Sequence, residues 1–281
     1  MKKILVLTGG GIRGIVSSQI INAIELRTGK PISESFDLIG GTSTGSIVGT
    51  SVASGYSGGE MVKLFSENGN NIFRRRRQIF AQTFGPKYDI NNLKNALAKY
   101  LSGNFTDLHK KVMVFSADKK NPKPIVFKSW KHSENIIKVV SSSCAAPTFF
   151  NAVLGLIDGG VYANDPSVEV LTEARRLWGH NEDYKVFTIG TGKKNYTGKG
   201  IGTGWIYWLR NIVPYLMTIQ EKRTEYVMKY QGVPYYKASP VLIDGSSDMD
   251  NASINNMQNL IKDTTRYLDD KLEEIINFIE E

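Results

Sequence analysis

Residues 36–53 commit this chain to a sheet with helices packed on it. The apolar run Phe36-Asp37-Leu38-Ile39 reads as a short buried strand and Gly40-Gly41-Thr42-Ser43-Thr44-Gly45 as a sharp turn. The small apolar residues from Gly45 to Ala53 read as a helix. Gly41-x-Ser43-x-Gly45 therefore stands where a strand turns into a helix, the setting a nucleophile elbow needs. Residues without a Cβ tolerate both the unusual dihedrals and the close backbone approach of such a turn. Ser43 lies at its tip, near the positive end of the following helix, where developing negative charge is favoured. The alternative is a Gly/Ser/Thr loop that only caps a helix.

A similar passage comes earlier. Lys3 to Thr8 reads as a buried strand, followed by Gly9-Gly10-Gly11-Ile12-Arg13-Gly14 and a helix through about Arg27. The glycines match G-x-G-x-x-G, so a dinucleotide-binding fold is a candidate. That fold needs an acid at the carboxyl end of the second strand, roughly 20 residues on. Here Glu34 and Asp37 precede the second apolar run, and its carboxyl end carries Gly40 to Gly45 instead. Consecutive glycines can also present backbone N–H groups to the oxyanion of an acyl-transfer intermediate. A glycine loop after the first strand and a serine turn after the second would lie side by side in a parallel sheet, which accounts for both motifs.

Composition sets outer limits. Hydrophobic content of 41% and charged content of 22% are those of a globular protein, and 281 residues can bury one substantial core. We expect one domain over 1–281 that ends in a long amphipathic helix at about 252–280. There, Ile254, Met257, Ile261, Leu268, Leu272, Ile275 and Ile279 recur at helical spacing. Cys144 is the single cysteine, which excludes an intramolecular disulfide framework. The first apolar run is too short for a signal-peptide core, and no segment is apolar enough to span a bilayer, so the expected location is the cytoplasm. The formal charge is +8; residues 251–281 carry −4, so residues 1–250 carry +12. A basic body suits an anionic partner. Arg74-Arg75-Arg76-Arg77, flanked by Phe73, Ile79, Phe80 and Phe84, reads as a contact to anionic lipid, with a solvated loop as the equal alternative and nucleic acid well behind. The apolar stretch Gly204 to Ile219 suits core packing, a cover over an acyl pocket or a touch on lipid.

A second candidate group lies in Leu156-Ile157-Asp158-Gly159-Gly160, where an apolar run ends in an acid and two glycines. At a strand's carboxyl end this carboxylate would face a site, and the glycines let a substrate or another backbone approach. An ordinary Asp-Gly turn is the alternative. Asp165, before Pro166, reads as a helix cap. Only His180 follows Asp158 in the order of an α/β-hydrolase triad, and it sits in a polar turn; His109 and His132 lie in lysine-bearing stretches. A dyad of Ser43 and Asp158 needs no histidine, since the carboxylate takes the serine proton and returns it to the leaving alkoxide. The histidines and the cysteine lack metal-ligand spacing, so neither metal nor cofactor is expected.

Gly9-Gly10-Gly11-Ile12-Arg13-Gly14, Gly41-Thr42-Ser43-Thr44-Gly45 and Asp158-Gly159-Gly160 occur in that order. Together they resemble the patatin-like phospholipase family. Ser141 to Phe150, Gly159 to Pro166 and Ile189 to Gly192 are similar to family patterns as well. The resemblance implies a three-layer α/β/α fold with a mostly parallel central sheet, and metal-free hydrolysis of acyl esters in membrane phospholipids at a membrane surface. It implies Ser43 as nucleophile, Asp158 as base and the backbone around Gly10 and Gly11 as oxyanion hole, with Arg13 ordering that loop. Thr8 departs from the acidic or small residue common before the glycines. Bacterial members include effectors switched on by cyclic nucleotides. The alternative is therefore a ligand-gated or non-catalytic lipid- or nucleotide-binding protein on the same scaffold.

Overall fold

The computed structural model describes residues 1–76, 85–194 and 205–281. Among them, seven strands form one sheet: β1 (Lys2–Leu7), β2 (Leu38–Thr42), β3 (Lys111–Asp118), β4 (Lys123–Lys128), β5 (Leu156–Asp158), β6 (Tyr184–Ile189) and β8 (Tyr235–Ala238). Two short strands, β7 (Lys193–Lys194) and β9 (Val241–Leu242), pair separately. The order across the sheet is β4-β3-β2-β1-β6-β8. It is parallel from β3 to β8, and β4 and β5 run antiparallel to β3. The described helices are α1 (Gly14–Thr28), α2 (Thr44–Ala53), α3 (Gly58–Ile72), α4 (Ile90–Leu97), α5 (Ile136–Ser143), α6 (Ser167–Trp178), α7 (Trp205–Met228) and α8 (Ile254–Glu280).

Strand side chains alternate between the two faces of a sheet. Leu5, Leu7 and Ile39 join one apolar cluster with Ile15 of α1, Ile47 of α2 and Ile275 of α8. Ile4, Val6 and Leu38 join another with Val170, Leu171 and Ala174 of α6. The result is a mostly parallel sheet between two helical layers, as the sequence resemblance implies.

The second strand differs from its expected extent. It starts at Leu38 and runs through Gly40, Gly41 and Thr42, so these glycines lie in the strand and not in the turn. The reason is packing: a Cβ on Gly40 would come 2.2 Å from Val170 Cγ2, so α6 lies almost on the strand. Asp37, just before β2, accepts from the Lys3 N–H and pairs with Lys2 at 3.1 Å. It thus stands at the end of the sheet opposite to the Gly9–Gly14 loop, far from a ribose-binding place.

One hand-over brings distant segments together. β2 pairs with β3 up to Thr42↔Phe115, and β5 pairs with β3 from Ser116↔Asp158 onward. β4 fills the other edge of β3 over the same residues, so β5 takes the edge that β2 vacates. The end of β2 and the end of β5 therefore meet.

A buried ion pair closes the far side. Lys237 of β8 is about as buried as an apolar residue, with a side chain 5% exposed, and its ammonium lies 2.9 Å from Asp165 and 3.1 Å from Glu225. Burial pushes toward the neutral amine, and the carboxylates, Asp165 first, outweigh it and hold the pKa above the ordinary lysine value. Removing one partner of such a pair strands the other charge. Lys237→Met is expected to cost about 3–5 kcal/mol in chemical denaturation with the m-value unchanged. Adding Asp165→Asn should recover most of that loss, and a single-variant cost below about 1 kcal/mol would contradict this account.

Candidate active site

Ser43 is the residue between β2 and α2. Its backbone lies at φ 54°, ψ −127°, a region that a residue with a side chain enters only under constraint. Three contacts impose it. The Ser43 N–H donates to Ser143 Oγ at 2.9 Å, and the Ser43 carbonyl accepts from the Ser46 N–H and the Ser46 hydroxyl at 2.8 and 2.6 Å. Gly45 completes the turn, since a Cβ there would come 2.2 Å from the Leu7 carbonyl of β1. A Cβ on Gly41 would press equally on the Gly45 carbonyl.

The Ser43 hydroxyl donates to Asp158 Oδ2 at 2.7 Å. The other oxygen, Oδ1, accepts from the Gly160 N–H at 2.7 Å, and the Asp158 N–H donates to the Ala145 carbonyl at 3.0 Å. Both side chains are buried, Ser43 at 8% and Asp158 at 4% exposure. Burial pushes the Asp158 pKa up to about 6, and the hydrogen bonds from Ser43 and Gly160 restrain the rise. Asp158 ends a strand, as its apolar lead-in suggests, but the strand is three residues long and antiparallel to its neighbour. Gly159 follows where a Cβ would meet the Phe115 carbonyl at 2.3 Å.

The glycine loop lies against this pair. A Cβ on Gly9 would stand 3.2 Å from Ser43 Cβ, and one on Gly14 would stand 2.2 Å from Thr44 Oγ1. Gly11 has φ +61° under the Met249 carbonyl, a place only glycine fills without strain. The Gly9 N–H donates to the Asn164 carbonyl at 3.1 Å, and the Ile12 N–H donates to the Met249 carbonyl at 2.9 Å. Between them, the Gly10 and Gly11 N–H groups find no acceptor among the described residues. Arg13 donates to the Gly10 carbonyl at 3.3 Å and to the Gly192 carbonyl at 3.1 Å, so it ties the loop to the turn after β6. The Thr8 side chain is fully buried, and its hydroxyl has no partner among the described residues.

Three residues of the site lie in stretches that the sequence marks as similar to family patterns, without showing what any of them does. The first is Ser143, whose hydroxyl both accepts from Ser43 and donates to the Phe115 carbonyl. The second is Thr191, which donates to the Gly9 carbonyl at 3.0 Å. The third is Asn164, whose amide donates to Glu221 of α7 and whose Oδ1, between Gly9 and Gly160, has no partner among the described residues. Asn164 falls within Gly159 to Pro166, where the similarity to family patterns marks the stretch and gives the residue no role.

Other candidates stand apart. His109 and His180 are exposed, and His132 Nδ1 accepts from the Lys128 N–H. Cys144 is buried, and burial pushes its thiol well up. Asp165 precedes the helix by two residues; it accepts from the Ser167 N–H and holds Lys237. Arg74 and Arg75 are exposed, and Arg76 lies 3.7 Å from Asp89. Arg77, Ile79, Phe80 and Phe84 lie outside the described residues. The Arg76 N–H donates to the Lys87 carbonyl, the Lys87 N–H donates to the Thr148 carbonyl, and the Tyr88 hydroxyl donates to Asp250, next to Met249. This places Arg74 to Arg76 at the same end of the sheet as the glycine loop.

A model of the patatin-like phospholipase family matches residues 5–171, a span that holds the glycine loop, the serine turn and Asp158. The chain belongs to the patatin-like phospholipase family. This patatin-like chain is 27% identical to a cGAMP-activated phospholipase of Pseudomonas aeruginosa, over 92% of this chain and 85% of that protein. It is 28% identical to patatin group D-3 of Solanum tuberosum, over 93% of this chain and 82% of that one. Among solved structures, human GIVD cytosolic phospholipase A2 in complex with methyl gamma-linolenyl fluorophosphonate is similar, with a TM-score of 0.53 at 9% identity. The likeness covers 99% of this chain and 58% of that one and is one of fold.

The buried carboxylate has a thermodynamic signature. Because burial raises the folded-state pKa above that of the unfolded chain, the folded protein holds the Asp158 proton more tightly. Stability is then lost as the pH rises from about 4 to about 6. Asp158→Asn removes that charge. Its stability relative to the unaltered protein should rise by up to about 3 kcal/mol between pH 4 and pH 8, measured by denaturation at both pH values. An unchanged difference would contradict a buried, ionisable Asp158.

Proposed function

We propose that this protein is a serine lipid acyl hydrolase of the phospholipase A type that acts on ester bonds of membrane glycerolipids. The observation that carries the reading is the 2.7 Å hydrogen bond from Ser43 to Asp158 at a strained strand-to-helix turn. The family, and the relatives named as phospholipases, support the substrate class.

In this reading Asp158 takes the Ser43 proton as Oγ attacks the acyl carbonyl carbon. The Gly10 and Gly11 N–H groups hold the oxyanion of the tetrahedral intermediate. Asp158 returns the proton to the departing lysolipid alkoxide and leaves an acyl-Ser43. Water, deprotonated by the same carboxylate, then attacks the acyl carbon, and the fatty acid leaves as Ser43 recovers its proton. Arg13 and Thr191 hold the glycine loop in place, and Ser143 holds the Ser43 backbone.

No described helix is long and apolar enough to cross a membrane. We place the protein in the cytoplasm and at the membrane surface, with Arg74 to Arg77 as one contact to anionic head groups. Residues 1–281 are taken as one working unit, because β6 and β8, beyond the family match, extend the same sheet, and α8 packs on α1. A second reading, in which a cyclic nucleotide switches the activity on, draws support from the cGAMP-activated relative.

The test is fatty-acid release from fluorogenic phospholipid vesicles. Ser43→Ala and Asp158→Ala should each lower kcat by at least about 10³-fold with the fold intact. The kcat/KM of the unaltered protein should fall below pH about 6 with unit slope, as the base becomes protonated. Near-normal release by Asp158→Ala would contradict the dyad. Activity that appears only with an added cyclic dinucleotide would favour the gated reading.

A further inference from the structure

Among its described side chains, from Tyr215 onward and at Ile212, the helix α7 has its polarity turned inside out. Its inward side chains are mostly polar: Gln220 donates to the Val161 carbonyl, Glu221 accepts from Asn164, Thr224 donates to the Asp165 carbonyl and Glu225 pairs with Lys237. Its outward side chains include an apolar and aromatic set, Ile212, Tyr215, Leu216, Ile219, Tyr226 and, just past its end, Tyr230, with Leu216 and Ile219 nearly half exposed at 49% and 46%. Their spacing of three, four and seven residues places them on one stripe. A helix that faces water shows the reverse arrangement. The charged residues exposed among the described side chains of this segment are Lys222, Arg223 and Lys229, all basic. Its acids, Glu221 and Glu225, point inward.

We propose that this outward face of α7 is the surface by which the protein docks on an anionic phospholipid bilayer. Apolar and tyrosine side chains enter the head-group boundary while lysine and arginine reach the lipid phosphates, the pattern of a helix lying in a membrane interface. A two-fold pairing of this face with a second copy would gather the lysines and arginine of both copies in one interface with no exposed acid among the described side chains of the segment to meet them, which disfavours that occupant. The position also fits. Met217 lies against Gly160, and α7 bonds to Val161 and Asn164, the residues directly after the Asp158 turn. Docking here brings lipid esters to the mouth of the Ser43 site. The inference rests on the proposed lipid substrate and adds the surface through which that substrate is met.

The test uses the full chain carrying Ser43→Ala, so that vesicles stay intact, and measures co-sedimentation with phosphatidylglycerol–phosphatidylcholine vesicles. Leu216→Asp/Ile219→Asp and, separately, Lys222→Glu/Arg223→Glu should each weaken binding by at least about tenfold. The same changes in the Ser43 protein should leave hydrolysis of a water-soluble nitrophenyl butyrate ester within about twofold. The milder pair Leu216→Ser/Ile219→Ser should give an intermediate loss. Folded variants that sediment like their parent would overturn the proposal, as would a parent that binds no vesicles. It would also be overturned if the variants disrupted a dimer and left vesicle binding unchanged. Failure of the parent to cleave the soluble ester would count against the proposed hydrolase alone, since sedimentation of the Ser43→Ala protein decides the docking face without turnover.

Discussion

Ser43 is held in a backbone conformation that costs about 1–3 kcal/mol for a residue with a side chain. Much of the surrounding structure answers to that one constraint. The turn needs β1 close to α2, which is why Gly45 sits on the Leu7 carbonyl, and it needs an acceptor for the Ser43 N–H, which Ser143 supplies from α5. Because Ser143 also donates to Phe115, the strained turn is anchored to the central part of the sheet as well as to its own helix.

The hand-over at β3 does the rest. A parallel strand alone would leave the carboxyl end of β2 facing solvent. Where β2 stops, the three residues of β5 take its place and deliver Asp158 next to Ser43, although 115 residues separate them in the chain. The same geometry buries the carboxylate and lifts its pKa, so the feature that would suit Asp158 to the proposed role of base also burdens the fold with a buried charge at higher pH. The glycine loop closes the third side, fastened through Arg13 and Thr191 to the turn after β6.

Much of this is visible in the sequence, because it is written in local patterns. Glycines at fixed spacing around Ser43, and an acid followed by Gly159 and Gly160, mark strand ends where a site can form, and the unbroken apolar run Ile4-Leu5-Val6-Leu7 in β1 marks a strand buried on both faces. What is hidden depends on partners far along the chain. Nothing near Ser143 shows that its hydroxyl meets Ser43, and the β2-to-β5 exchange exists only in the register of β3. The glycines at 40 and 41 read as turn residues because what presses on them, Val170 of α6 on Gly40 and the Gly45 carbonyl on Gly41, is set by the folded packing. The periodicity of Ile212, Leu216 and Ile219 suggests a buried face equally well. Only the bonds of Gln220, Glu221 and Thr224 to the segment after Asp158 reveal that the stripe points outward.

The most direct measurement is the rate at which a fluorophosphonate modifies the folded protein, followed by intact mass and mapping of the modified residue. The account predicts a single phosphonyl group on Ser43, a rate that rises with pH through about 6 as Asp158 ionises, and loss of the reaction in Asp158→Ala. Equal modification of Ser43→Ala, or no modification of the folded protein at any pH, would contradict it.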